Sequence, residues 1–210
     1  MNSVKPKFRD YKNSDYKCCE DLVNEAWQFD EIFKPRELSD IAKCMYTKGS
    51  VTGSNFRRVV EINGKVVGFI FGLNELSSKP RKGILFGLSI LRRIFCVKEM
   101  RIREKIKLIK AINTHEINRS KIVDKRKSEI VLFVIDPAHQ GIGNGKKLLS
   151  EFTTHCKNSG VKSIIVETNK LGASRFYEGV GFRHIGNFDS PLHEYATKGG
   201  QASMYEYRCE

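Results

Sequence analysis

Glu129-Ile130-Val131-Leu132-Phe133-Val134-Ile135-Asp136-Pro137-Ala138-His139-Gln140-Gly141-Ile142-Gly143-Asn144-Gly145-Lys146-Lys147-Leu148-Leu149 carries the pattern that decides the fold. Glu129 to Ile135 is a nearly continuous apolar run, suited to a central strand buried on both faces. Asp136 to Gly145 reads as a turn rich in glycine. Leu148, Leu149, Phe152 and Cys156 then share one face of a helix that Asn158 to Gly160 end. Ser163 to Thr168 is a further strand, so the unit runs strand, turn, helix, strand, and its two strands are expected to pair in parallel.

Gly141, Gly143 and Gly145 strip the turn of side-chain cover, leaving peptide N–H groups pointing outward where the following helix presents its positive end. That combination suits an anion such as a pyrophosphate. Lys146 and Lys147 oppose the helix dipole in its first turn unless something negative is bound, which fits the same ligand. Tight packing is the alternative use of such glycines. No Ser or Thr follows the lysine as a Walker loop requires, and glycines spaced by two miss the dinucleotide pattern G-x-G-x-x-G.

Toward the N-terminus, Cys19, Leu22, Val23, Ala26 and Trp27 fall on one face of a helix that Asp15 is placed to cap. A second helix is expected from about Glu37 to Tyr46, with Leu38, Ile41, Ala42 and Met45 inward and Gly49 ending it; Phe29 to Arg36 reads as the loop between. Two β-branched runs, 58–62 and 65–71, are joined by Asn63-Gly64, a hairpin signal because a type I′ turn needs positive φ at both central residues. Leu73 to Arg81 reads as a loop. Downstream, a short helix over 173–177, a strand near 182–188 and a last strand near 204–209 complete the expectation.

Hydrophobic residues at 40% and charged residues at 29% exclude a disordered chain. Six scattered cysteines without C-x-x-C spacing point to reduced thiols in a cytoplasmic protein, and no His, Cys or Asp spacing supports a metal site. The polar stretch Met1 to Tyr16 lacks the apolar core of a signal peptide, and the longest apolar run, Gly83 to Leu91, is too short to span a bilayer. The formal charge of +13 is concentrated between Lys79 and Lys127, where 16 Lys and Arg face four acids. Ile84, Leu88, Leu91 and Phe95 form one apolar stripe there, and Ile102, Ile106, Ile109 and Ile112 a better one on a helix otherwise covered with cations.

Pro137-x-x-Gln140-Gly141-x-Gly143-x-Gly145 followed by Leu148-Leu149 resembles the Q/R-x-x-G-x-G/A signature of the GNAT acetyltransferases. Asn169, then Ala173-Ser174-Arg175-Phe176-Tyr177-Glu178, then Gly181-Phe182 are similar to that family's second motif, in the right order. The resemblance implies an α/β fold: a mixed, mostly antiparallel central sheet with one parallel, splayed strand pair, flanked by helices. It implies acetyl-CoA as cosubstrate, no metal, and direct attack by an amine on the thioester in an N-acetyltransferase. Backbone groups of Phe133, Val134 and Ile135 are then expected to hold the pantetheine arm, and those of Gln140, Gly141, Ile142, Gly143, Asn144, Gly145 and Lys146 the pyrophosphate. Asn169 and Ser174 are expected to contact the cofactor. Tyr177 is the expected general acid, a phenol of ordinary pKa near about 10, and Glu129 the candidate base, acting through water. Ile142 and Asn144 depart from the basic and aliphatic residues usual at their positions.

The chain is read as a single domain over 1–210 with a basic, solvated helical insertion at about 77–127, packed by its isoleucine stripe over the acceptor site. Contact of that insertion with nucleic acid, an acidic substrate or anionic lipid is the less favoured reading. The competing function is a non-catalytic acetyl-CoA-binding sensor or scaffold. A core Tyr177, a helix-capping Asn169, an exposed Ser174 and a solvated Glu129 are the competing roles, and the amine and the oligomeric state, homodimer included, stay open.

Overall fold

A computed structural model describes residues 5–77, 83–124, 127–169, 173–197 and 199–209. Among them the strands are β1 (Lys7–Asp10), β2 (Phe56–Ile62), β3 (Lys65–Leu73), β4 (Ser128–Ile135), β5 (Ser163–Asn169), β6 (Arg183–Asp189) and β7 (Gln201–Arg208). They form one sheet in the order β1-β2-β3-β4-β5-β7-β6. Every neighbouring pair is antiparallel except β4 with β5, as the sequence predicts. Asn63 and Gly64 take φ of 53° and 76°, the type I′ geometry that joins β2 to β3.

The helices are α1 (Tyr16–Trp27), α2 (Phe29–Ile32), α3 (Arg36–Gly53), α4 (Gly83–Cys96), α5 (Ile102–Ser120), α6 (Asn144–Asn158), α7 (Ser174–Gly179) and α8 (Pro191–Thr197). One face of the sheet takes α6, whose Leu148, Leu149, Phe152 and Cys156 are buried against Val60, Ile70 and Ile164. The other takes α1 and its neighbours, with Val23, Phe29, Phe69 and Phe71 at the centre. Phe152 lies flat enough on β3 that a Cβ at Gly72 would stand 2.4 Å from its ring, so only glycine fits there. All six cysteines are free thiols. Among the described residues no helix is long and apolar enough to cross a membrane.

Several sequence expectations change. Asp15 precedes α1 but its side chain does not cap it: the carboxylate accepts Lys12 N at 2.7 Å and Arg9 Nη1 and Nη2 at 2.7 and 2.9 Å, tying β1 to the helix start. Gly49 does not end the second helix, which runs on to Gly53; a Cβ at Gly49 would meet the Phe86 ring at 3.1 Å, so this glycine admits α4. Phe29 starts the single turn α2 and is fully buried, so 29–36 is not all loop.

The apolar stripe read from sequence on α4 is the side that faces out: Leu88, Leu91 and Phe95 are exposed, while Ile90 and Ile94 turn inward against Ile41 of α3. The side chain of Ile84 and the outer part of the 73–81 loop lie outside the described residues. On α5 the expected stripe is likewise displaced. Ile102 and Ile106 are exposed, and the buried face carries Lys105, Leu108, Ala111, His115 and Arg119, one row at helical spacing. A row that is polar at three of five positions escapes a hydrophobicity pattern.

Candidate active site

β4 and β5 pair only over Ser128↔Ile164, Glu129↔Ile165 and Ile130↔Val166. Beyond Ile130 that ladder stops, while β3 follows β4 on its other side as far as Gly68↔Ile135. The β3 register passes from Leu132 opposite Phe71 to Ile130 opposite Gly72, so Val131 is an extra residue in β4. Such a bulge re-aims the side chains around it. Ile130 faces α6 together with Phe133 and Ile135, whereas Leu132 and Val134 enter the core under α1. β4 is therefore not buried on both faces as expected: Glu129, Val131, Phe133 and Ile135 are half-buried along the opening.

The turn after β4 is braced by its own amides. Gln140 Nε2 donates to the Ile135 carbonyl at 2.9 Å, and buried Asn144 donates through Nδ2 to the His139 carbonyl at 3.3 Å. Hydrogen bonding from beneath the turn accounts for an amide at position 144. Gly141 and Gly143 hold φ of +75° and +91°, and nothing lies within 4 Å of where a Cβ would stand, so their bare backbone faces open space. Gly145 is packed instead, 3.4 Å from Phe133 Cζ at the position of a Cβ. A cavity of about 570 Å³ is bounded by this turn, by Phe133 and Ile135, and by Phe176 and Tyr177 of α7.

A larger cavity of about 760 Å³ lies between α1, α3, α5 and the diverging strands, walled by Trp27, Tyr46, Arg119, Glu129 and Glu167 among others. Phe133, Ala173 and Tyr177 line both cavities. Arg119 of α5 organises the polar wall: Nη2 donates to Glu129 Oε1, and Nε donates to Glu167 Oε2 at 3.1 Å. Glu167 Oε1 stands 3.1 Å from His193 Nε2, and Oε2 stands 3.6 Å from His115 Nε2. His115 Nδ1 bonds Ser190 Oγ at 2.8 Å.

These surroundings push the two carboxyls apart. Burial raises the Glu129 pKa, and Arg119 opposes it without cancelling it. Burial also pushes Glu167 up, but the hydrogen bond from His193 and the charges of His115, His193 and Arg119 outweigh it and hold its pKa below the usual range. Burial lowers His115, favouring the neutral ring, with Glu167 pulling the other way. Folding brings His115, Glu167 and His193 close enough that one ligand atom from each lies within 4.8 Å of the others, which sequence spacing does not show. Arg119 Nε engages Glu167 Oε2 in an ion pair, while Oε1 faces His193.

Residues 95–189, just under half of the chain, match the sequence profile of the acetyltransferase (GNAT) domain. Over those residues the chain is similar to the GNAT acetyltransferases. Solved structures share its fold along nearly the whole length. PH1933 from Pyrococcus horikoshii OT3 is 18% identical, with 97% of this chain and 98% of that one covered and a TM-score of 0.60. Ard1 from Thermoplasma volcanium is 16% identical over 98% of each chain, TM-score 0.54. YncA from Salmonella typhimurium, solved with its cofactor acetyl-CoA, is 14% identical over 98% of this chain and 95% of that one, TM-score 0.55. A sequence comparison with curated proteins finds no match.

Of the residues expected at a coenzyme, the fold places Phe133, Ile135, Gln140, Gly141, Gly143, Gly145 and Lys146 around the smaller cavity. Val134 points into the core under α1, Ile142 is exposed on the turn and Asn144 is buried beneath it, none of them on the lining. Asn169 lines the larger cavity. Ser174 Oγ, at the start of α7, is buried with no hydrogen-bond partner among the described residues. Tyr177 stands where the cavities meet, and burial raises its phenol above the ordinary value expected from sequence, which keeps it protonated. Sequence reasoning missed Arg119, Glu167, His115 and His193, which come from α5, β5 and α8. The available signal was the row of polar residues on the buried face of α5.

Proposed function

We propose that the chain transfers the acetyl group of acetyl-CoA to a primary amine by direct attack within a ternary complex. The observation that carries this reading is the junction of the two cavities, one glycine-lined at the α6 N-terminus and one carboxylate-lined beside α5, at Phe133, Ala173 and Tyr177. Peptide N–H groups from Gln140 through Lys146 hold the pyrophosphate at the positive end of α6. The pantetheine arm runs along β4 past Phe133, Val134 and Ile135, where β5 no longer pairs with that strand. The thioester then reaches the junction.

The acceptor enters from the larger cavity. Glu116, Glu129 and Glu167 line it beside Arg119, His115 and His193, and the rings of Trp27 and Tyr46, 5.4 Å apart, form an adjoining aromatic wall, a setting that suits a cationic amine. Glu129, its basicity raised by burial, draws a proton from the ammonium through water. The neutral nitrogen attacks the carbonyl carbon, the tetrahedral oxyanion collapses, and the C–S bond breaks. Tyr177 gives its proton to the departing sulfur, and the proton released by the amine restores it. The products are the amide and free CoA.

Mass spectrometry of products after incubation with acetyl-CoA and a panel of polyamines, amino sugars, amino acids and peptide amines tests the reading. An acetylated amine is expected. Coenzyme binding with no amine acetylated would favour the sensor instead.

A further inference from the structure

We propose that the outward face of α4 docks the protein on an anionic lipid surface, through Leu85, Leu88, Leu91 and Phe95 set among Arg92, Arg93 and the cations that open α5. The four apolar residues are 71%, 59%, 38% and 49% exposed. Their spacing puts them on one side of the helix along about 15 Å of its length. They are not spare members of the core. Ile90 and Ile94, on the opposite side, are 5% and 0% exposed and hold α4 on α3, with Phe86 seated over Gly49. α4 is thus apolar twice, once toward the protein and once toward solvent.

Charge decides what covers the outer side. Arg92 follows Leu88 at i+4 on the same face, Arg93 flanks it, and Lys98, Arg101 and Arg103 follow, all exposed. Lys105 Nζ donates to the Phe95 carbonyl at 2.7 Å, which fastens the start of α5, with exposed Ile102 and Ile106, beside the end of α4. The acids on this stretch are Glu99 and Glu104, and Glu104 is engaged with Arg101 N at 2.7 Å. The segment from Lys79 to Lys127 holds 16 cations against four acids. A second copy of the chain would bring two such surpluses face to face, which like-charge repulsion disfavours. Nucleic acid would satisfy the arginines but leave three leucines against phosphate, where stacking rings would be the useful groups. A bilayer with anionic headgroups satisfies both, because the cations meet phosphate at the depth where the leucines and phenylalanine enter the acyl boundary.

Sedimentation of the full chain with phosphatidylcholine vesicles, with and without phosphatidylglycerol, tests this. Binding is expected on the anionic vesicles, weakening as ionic strength rises, with little on phosphatidylcholine alone. Leu88→Glu combined with Phe95→Glu is expected to lower partitioning by at least about tenfold. Arg92→Gln with Arg93→Gln is expected to lower it by roughly tenfold or more and to flatten its salt dependence. All four positions are exposed, and an unchanged thermal unfolding curve checks that each variant is folded. No binding to anionic vesicles at low ionic strength overturns the proposal. So does equal binding by the Leu88→Glu/Phe95→Glu variant, RNA displacing the vesicles from this face, or self-association that the same variant dissolves.

Discussion

Replacing Arg119 by Met separates the two carboxylates of the larger cavity from the charge that holds them. A unit charge at about 4 Å in an effective dielectric of about 20 interacts by roughly 4 kcal/mol. The Glu129 side chain retains 24% exposure, so solvent screening removes part of this, and about 2 kcal/mol is a reasonable share. That corresponds to roughly 1.5 pKa units, upward, since the lost guanidinium favours the charged carboxyl. If Glu129 is the base, the acidic limb of the kcat/KM profile should move to higher pH by about the same amount. Arg119→Lys keeps the charge and should move it far less. Carbon-detected NMR titration of the glutamate carboxyls gives the same pKa without turnover. A carboxyl that moves while the acidic limb stays fixed would refute Glu129 as base; a carboxyl that does not move would refute the pairing itself.

Tyr177→Phe is expected to lower kcat by roughly 10²- to 10⁴-fold while leaving CoA affinity unchanged, read by steady-state kinetics beside calorimetry. Phe152→Ala removes a fully buried ring stacked over Gly72 and 5.1 Å from Phe56, and should cost about 3–5 kcal/mol in urea unfolding. Glu167 has a folded pKa below its ordinary 4.5, so its contribution to stability is complete above that value and is lost as pH falls through the depressed one. Glu167→Gln should therefore show a weaker loss of stability over this acid range than the parent, measured by thermal unfolding at a series of pH values.

The hairpin, α6 and the glycine turn were legible because each is decided locally. Asn63-Gly64 needs only positive φ at two residues, and the apolar row of α6 is buried as its spacing says. The parallel pair followed from the strand, turn, helix, strand order. What the sequence could not show was how far that pairing runs, because the extra Val131 in β4 is a relation to β3 and has no local signature. The wall of the larger cavity was hidden for a related reason. Arg119, Glu129 and Glu167 lie on three elements and become one network only after folding. The reversal on α4 has a different cause: with apolar residues on both sides, periodicity alone does not say which side the core takes, and Gly49 on another helix decides it.

Isothermal titration with CoA, comparing the parent with Gly143→Ala and Gly143→Glu, addresses the grip of the β4–α6 turn most directly. No atom lies within 4 Å of where a Cβ would stand, so a Cβ meets no clash in the free protein, and the φ of +91° strains either substitution by about 1–2 kcal/mol. The account expects the parent to bind, Ala to bind modestly more weakly, and Glu, whose charge faces the diphosphate, to lose at least about a hundredfold. A parent that gives no binding, or a Gly143→Glu variant with the parent's affinity, would contradict it.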